Sequence, residues 1–198
     1  NRLSGINSEH LRLLERMIKR DRNHPSVILW SNGNEEWGIE NSVQGTRIAE
    51  AMREYTHLLD PTRHSTMANA GGSELIKGLD VVGFNYIVQN DVDNRKNAHP
   101  EWKIVGSEET TGCGTRGVYF DLPESEGRMK SLNMGTIPGV ENVIERGWKF
   151  YAERPWAAGL FYWTGFDYRG EPNPLKFPAH DSEFGILDYC GFMKDEAW

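Results

Sequence analysis

Between residues 27 and 37 the chain reads Val-Ile-Leu-Trp-Ser-Asn-Gly-Asn-Glu-Glu-Trp, four apolar residues that stop abruptly in amides and carboxylates. The lack of polar alternation predicts a strand buried on both faces, entered through Asn23-His24-Pro25. Upstream, Leu11, Leu14, Met17 and Ile18 recur at helical spacing behind Ser8, a good cap. Downstream the two periods alternate. A helix is predicted near 42–59, with Val43, Ile48, Met52, Tyr55 and Leu59 on one stripe and Asp60-Pro61 as its stop. Then follow a strand over 64–68 leading to Gly71-Gly72, a short helix over 73–77, and strands over 80–87 and 103–107. A helix over 140–153 and a last strand over 159–163 complete the series. The stretch 112–137 is rich in Gly, Pro and Ser, and loops of that length are usually functional. Such alternation predicts an α/β fold with an all-parallel sheet, open or closed.

Composition narrows the classes of function. The 198 residues suit one domain, or one large piece of one, and fall short of the roughly 250 usual for an eight-fold α/β barrel. With 22 basic against 29 acidic residues the net charge is −7, which argues against nucleic acid or an anionic membrane as partner. No apolar run reaches the length of a membrane span. Two cysteines, Cys113 and Cys190, exclude a disulfide scaffold and a Cys-rich zinc site, while leaving one pairing open. The chain starts without Met, on a helix that lacks its preceding strand, and so reads as a fragment.

Chemistry concentrates where strands end. In parallel α/β folds the C-terminal ends of the strands build the site, which makes Asn34 and Glu35 candidates. The same residues also fit a helix start, with Asn34 as cap and Glu35 and Glu36 in the first turn. A second apolar strand, Val105-Gly106-Ser107, runs into Glu108-Glu109. Two carboxylates on one rim are what a retaining glycosidase needs, one to protonate the leaving oxygen and one to attack the anomeric carbon. Two unrelated acidic caps satisfy the spacing as well.

Longer motifs carry a resemblance. The stretch Arg20-Asp21-Arg22-Asn23-His24-Pro25-Ser26-Val27-Ile28-Leu29-Trp30-Ser31-Asn32-Gly33-Asn34-Glu35 resembles the acid/base signature of glycoside hydrolase family 2, which holds β-galactosidases, β-glucuronidases and β-mannosidases. Phe161-Tyr162-Trp163-Thr164-Gly165-Phe166-Asp167-Tyr168-Arg169-Gly170-Glu171-Pro172 resembles the end of that family's catalytic barrel in its β-galactosidase-like members. So do Phe184-Gly185-Ile186-Leu187-Asp188 and Gly191-Phe192-Met193-Lys194-Asp195.

The resemblance implies a partial (β/α)8 TIM-barrel-type domain spanning 1–198, with strands four to eight present. It implies Glu35 as acid/base, Asn34 as the ligand of the sugar 2-hydroxyl, and Glu108 as nucleophile, with Glu109 the alternative by one register. Tyr86, in Gly83-Phe84-Asn85-Tyr86, matches the tyrosine that orients the nucleophile, and Trp163 matches the platform of the sugar pocket, joined to Thr164 by a cis peptide. The expected substrate is a terminal β-linked sugar, and the mechanism asks for no cofactor or metal. The Asn-Lys-Gly motif of family β-glucuronidases is missing from the sequence, which favours a neutral sugar such as galactose. The alternative is a non-catalytic carbohydrate-binding or structural piece, inactive because the barrel is incomplete; in either case the exposed barrel edges are expected to recruit a second copy, as a homo-oligomer, or to close on themselves.

Overall fold

A computed structural model describes residues 8–110, 112–120, 123–125, 129, 134–135, 143–173 and 176–194. In chain order the first elements are helix α1 (Ser8–Asp21), strand β1 (Leu29–Asn34), α2 (Val43–Leu59), β2 (His64–Asn69), a 3-10 turn (Leu75–Gly78) and β3 (Val81–Asn85). They are followed by α3 (Ile87–Asn90), α4 (Val92–Ala98), β4 (Ile104–Glu109), β5 (Gly112–Cys113), a second 3-10 turn (Pro123–Ser125) and β6 (Met134–Gly135). The last are α5 (Val143–Ala152), β7 (Ala157–Tyr162), β8 (Tyr168–Arg169) and β9 (Asp181–Ser182). Strands β1, β2, β3, β4 and β7 form one sheet in that order, all parallel. The pairs β5–β6 and β8–β9 are small antiparallel ribbons. The chain divides into two compact units, one of residues 1–107 with 156–159, the other of 108–155 with 160–198.

In the first unit α1 buries Leu14 and Ile18 against Trp30, with Met17, Val27, Met52, Tyr55 and Leu59 packed around them. The indole of Trp30 donates to the Asp60 carboxylate at 2.9 Å, so its one polar atom is satisfied in the core. The run 27–30 departs from the pattern expected of a strand buried on both faces. Trp30 is 3% exposed, but Ile28 lies just outside the ladder and is 64% exposed. β1 ends the strand order and pairs with β2 alone, whereas β3, flanked on both sides, buries all five of its residues. Helix α2 lays Met52, Tyr55 and Leu59 of its predicted stripe on this core. Its buried residues are Gly45, Ala49 and Thr56, and Val43 is exposed. Small residues let neighbours approach: a Cβ on Gly78 would lie 2.7 Å from Thr46 O and 2.9 Å from Ala49 Cβ.

Helices α3 and α4 carry no apolar stripe, which is why the pattern does not announce them. α4 buries only Val92, and polar ties hold the segment: Arg95 donates to the carbonyls of Gly71 and Gly72 at 2.5 and 2.8 Å.

In the second unit α5 packs on the segment after β4, since an added Cβ on Gly147 would lie 1.5 Å from Thr110 Cγ2. Asp167, nearly buried, accepts from Lys194 at 2.7 Å and from the amide of Gly185 at 2.9 Å, and Lys194 also caps Glu183 O. Cys190 is free and exposed. Much of the loop 112–137, the predicted helix start at 140–142 and Asp195 lie outside the described residues.

Candidate active site

The C-terminal end of β1 is bent out of regular pairing. Ser31 pairs with Thr66 and Asn34 with Ala68, three steps on β1 against two on β2, so β1 carries one extra residue around Gly33. A bulge of this kind re-aims the side chains that follow it. Next comes Glu35 with φ +51, a left-handed backbone uncommon outside glycine, pinned by its amide donating to Ala68 O at 2.9 Å. The helix-start reading of these acids is displaced. α2 begins at Val43, and its cap is Ser42, whose hydroxyl accepts from the Gly45 amide at 3.1 Å.

One buried amide gathers this strand end. Asn85, wholly buried at the end of β3, donates from Nδ2 to Glu35 Oε1 at 3.0 Å and to Asn34 Oδ1 at 3.3 Å, while its Oδ1 accepts from the Ser107 hydroxyl at 2.8 Å. Asn90, also buried, places its own Nδ2 on the carbonyls of Asn85 (2.6 Å), Asn69 (3.2 Å) and Tyr86 (3.3 Å). Gly83 makes room, since a Cβ there would meet Met67 O at 2.7 Å and Ser107 Oγ at 3.0 Å. Tyr86, half-buried, follows with φ +61. The first unit thus joins Asn34 and Glu35 directly through Asn85 and sets Tyr86 on the next residue.

Sequence reasoning named Asn85 only as part of the motif around Tyr86, and did not name Asn90. A polar residue closing the five-residue apolar strand β3 was the available signal for Asn85. Nothing in the pattern of 87–98 marks Asn90.

In the second unit β4 delivers Glu108 and Glu109 to opposite faces, because strand side chains alternate. Glu109 is the buried one: it accepts from the Tyr151 hydroxyl of α5 at 3.2 Å. Burial, together with that carboxylate, pushes the Tyr151 phenol well above its ordinary value. Glu108, half-buried, therefore points away from the α5 side. Trp163 is 37% exposed, donates its amide to Glu109 O at 3.0 Å and meets Tyr168 edge-on at 6.1 Å. Its peptide bond to Thr164 is cis, as the resemblance implies.

Among the described residues one group has metal-ligand geometry: His57, His64 and Asp80, with ligand atoms within 4.8 Å of one another. It lies at the opposite end of the strands from Glu35, and its carboxylate is occupied. Asp80 Oδ2 accepts from His57 at 2.7 Å, from the Ser65 amide at 2.8 Å and from the Ser65 hydroxyl at 3.0 Å, while Arg53 stands 3.9 Å from Oδ1. A carboxylate oxygen that already takes three hydrogen bonds, with a guanidinium beside the other oxygen, suits a structural clamp better than a cation site. No helix among the described residues is long and apolar enough to cross a membrane.

Residues 4–112 match the family model of the glycosyl hydrolases family 2, TIM barrel domain. The chain is similar to β-galactosidase BoGH2A of Bacteroides ovatus, at 30% identity over 240 residues, covering 96% of this chain and 28% of the relative. It is similar to a β-galactosidase of Psychromonas ingrahamii, at 43% identity over 191 residues, covering 93% of this chain and 16% of the relative. A family 2 glycosyl hydrolase structure from Bacteroides cellulosilyticus superposes with a TM-score of 0.66 at 27% identity, covering 94% of this chain and 20% of that one. The β-D-glucuronidase of Dictyoglomus thermophilum, at 20% identity, shares the fold with a TM-score of 0.73 over 95% of this chain and 33% of its own. The chain spans 28% and 16% of the two β-galactosidases it matches.

Proposed function

Since the chain belongs to glycosyl hydrolase family 2, we propose that its strand ends supply the two carboxylates of a retaining exo-β-glycosidase acting on terminal β-D-galactosides. The single observation that carries this reading is the placement of Glu35: a strand-end carboxylate in a left-handed backbone, held by the Ala68 carbonyl and the buried Asn85 amide. A surface acid needs neither a strained backbone nor a buried partner.

The roles then follow from the chemistry of retention. Glu108 attacks the anomeric carbon, the bond to the leaving oxygen breaks, and that oxygen takes the proton of Glu35. Glu35, now a carboxylate, removes a proton from water, the water attacks the same carbon, and Glu108 leaves as carboxylate. Asn34 bonds the sugar 2-hydroxyl, a contact that strengthens in the oxocarbenium-like transition state. Tyr86 and Trp163 belong to the sugar pocket, Trp163 offering an aromatic face. Glu108 is preferred to Glu109 because the latter is buried against Tyr151. Support for galactose comes from the β-galactosidases among the relatives and from the missing Asn-Lys-Gly motif.

The test is hydrolysis of methyl β-D-galactoside and methyl β-D-glucuronide by the purified protein, with the anomer of the first product read by NMR. Galactoside cleavage with the β anomer formed first, and a loss of about 10²- to 10⁴-fold in Glu35→Gln and Glu108→Gln, is the expected result. An α first product would refute retention. Activity lost in Glu109→Gln but kept in Glu108→Gln would move the nucleophile.

A further inference from the structure

We infer that Tyr151 is a positioning residue that selects the nucleophile from two consecutive carboxylates, by holding Glu109 on the α5 side of β4 and so leaving Glu108 to face the other way; the inference rests on the role proposed above for Glu108. The need for such a device is written in the chain. Glu108 and Glu109 are chemically equal neighbours at one strand end, and a slip by one residue exchanges the faces on which they stand. Something outside the strand must tell them apart.

The grip lies wholly within the second unit. Tyr151 is 4% exposed and Glu109 3%, and the phenol hydroxyl donates to Glu109 Oε1 at 3.2 Å. Burial, and then the neighbouring carboxylate, push that phenol well above its ordinary value, so it remains a donor throughout the working range of a glycosidase. A second contact comes from the same helix face. Gly147 stands one turn before Tyr151, and a Cβ added there would lie 3.0 Å from Thr110 Cβ. Thr110 takes φ +57, and the Gly112 amide donates to its carbonyl at 2.6 Å. Two successive residues, Glu109 and Thr110, are thus held by two successive turns of α5, and β4 cannot rotate about its axis without losing both contacts.

The same clamp reaches the aromatic residue proposed for the sugar pocket. Glu109 O accepts the Trp163 amide at 3.0 Å, so the residue that Tyr151 holds also anchors Trp163. The division of labour within the phenol makes it testable. Its ring fills space against Phe150, edge-on at 5.2 Å, while its one proton fixes the carboxylate. Phenylalanine keeps the first function and removes the second. A buried carboxylate that loses a donor gains by turning toward water, and Glu109 can do so only by leaving the α5 side.

The experiment compares the parent protein with Tyr151→Phe. Both are treated with a water-soluble carbodiimide and glycine ethyl ester, which convert an accessible carboxyl into an amide with release of the urea, and fragment ions of the peptide holding 108–109 locate the label. The expected result is labelling at Glu108 with Glu109 spared in the parent, and about tenfold more label at Glu109 in Tyr151→Phe, the equivalent of one hydrogen bond to a charged group. Asp167 and Glu183, buried elsewhere in the same unit, should stay spared in both. Equal sparing of Glu109 in the two proteins overturns the inference, and so does labelling of all three buried acids in the variant, since the hydroxyl would then hold the unit and not the register. A parallel reaction uses 2,4-dinitrophenyl 2-deoxy-2-fluoro-β-D-galactoside, whose anomeric carbon bonds the nucleophile's oxygen as dinitrophenolate departs with the electron pair. Label on Glu108 alone in the parent, and slower labelling shared with Glu109 in Tyr151→Phe, is expected. The same site and rate in both proteins overturn the inference alone, whereas label on Glu109 in the parent overturns the role of Glu108 as well.

Discussion

The side-chain nitrogen of Asn85 donates to Glu35 Oε1 at 3.0 Å, across fifty residues of chain. The carboxylate that ends one strand is thus aimed by a buried amide that ends another. Asn85→Ala should lower kcat roughly 10- to 150-fold, the equivalent of one hydrogen bond to a charged group, with a smaller change in KM. Asn85→Asp should be worse than Ala, because it sets a second carboxylate against Glu35. Steady-state kinetics on the two variants, beside circular dichroism to show retained folding, check this. An unchanged kcat in both would remove Asn85 from the site.

Asp60 clamps the junction of α2 and β2. Its burial favours the neutral form, yet bonds from Thr62, Trp30 and Arg63 outweigh that and hold the carboxyl well below the usual carboxylate range. A depressed folded value means that the stabilisation is complete above the unfolded value, near about pH 4, and fades as pH falls through the folded one. Asp60→Asn should lose about 3–5 kcal/mol at neutral pH and should show a shallower fall in stability below about pH 4 than the parent. Urea midpoints across pH measure both.

Gly147 is required by contact rather than by backbone. Gly147→Ala should cost about 1–3 kcal/mol through overlap with Thr110 Cγ2, 1.5 Å from the new carbon. Adding Thr110→Ser removes that methyl and should recover most of the loss. A double-mutant cycle showing simple additivity would contradict the contact.

Lys194 lies buried on Asp167 and Glu183 O. Burial is the main influence on Asp167 and raises its carboxyl above the ordinary value in spite of Lys194. Lys194→Met should therefore destabilise the fold by about 3–5 kcal/mol by leaving that carboxylate unpaired, and Lys194→Met with Asp167→Leu should be far milder. Thermal unfolding of the two variants distinguishes a buried pair from a surface one.

Much of this architecture is legible from periodicity. The helix predicted from Leu11, Leu14, Met17 and Ile18 is present as α1, and β2 starts at His64 as expected, because long amphipathic stripes and turn residues are local signals. The errors have physical causes. Ile28 is apolar but sits outside the β1–β2 ladder, and Val43, in the first turn of α2, is exposed while Met52, Tyr55 and Leu59 of the same stripe reach the core. Glu35 and Glu108 stand out in the sequence as candidates because each is a carboxylate at a strand end, and their roles remain those proposed above. Asn85 acts on the Glu35 carboxylate and the Asn34 amide, and Asn90 on backbone carbonyls, partnerships that no spacing reveals. The different surroundings of Glu108 and Glu109, with Tyr151 of α5 donating to Glu109, are set by a contact across 42 residues that no spacing reveals.

The clamp at Asp80, with His57 and Ser65, fastens the ends of the strands where they enter the sheet, while Asn85, Asn90 and Glu40 set the ends where they leave it. The two sets share no residue. Substitutions at one end of the strands are therefore expected to combine additively in stability with substitutions at the other. The sheet is thus fastened at its two ends by independent sets of side chains, so that loosening one end leaves the other held.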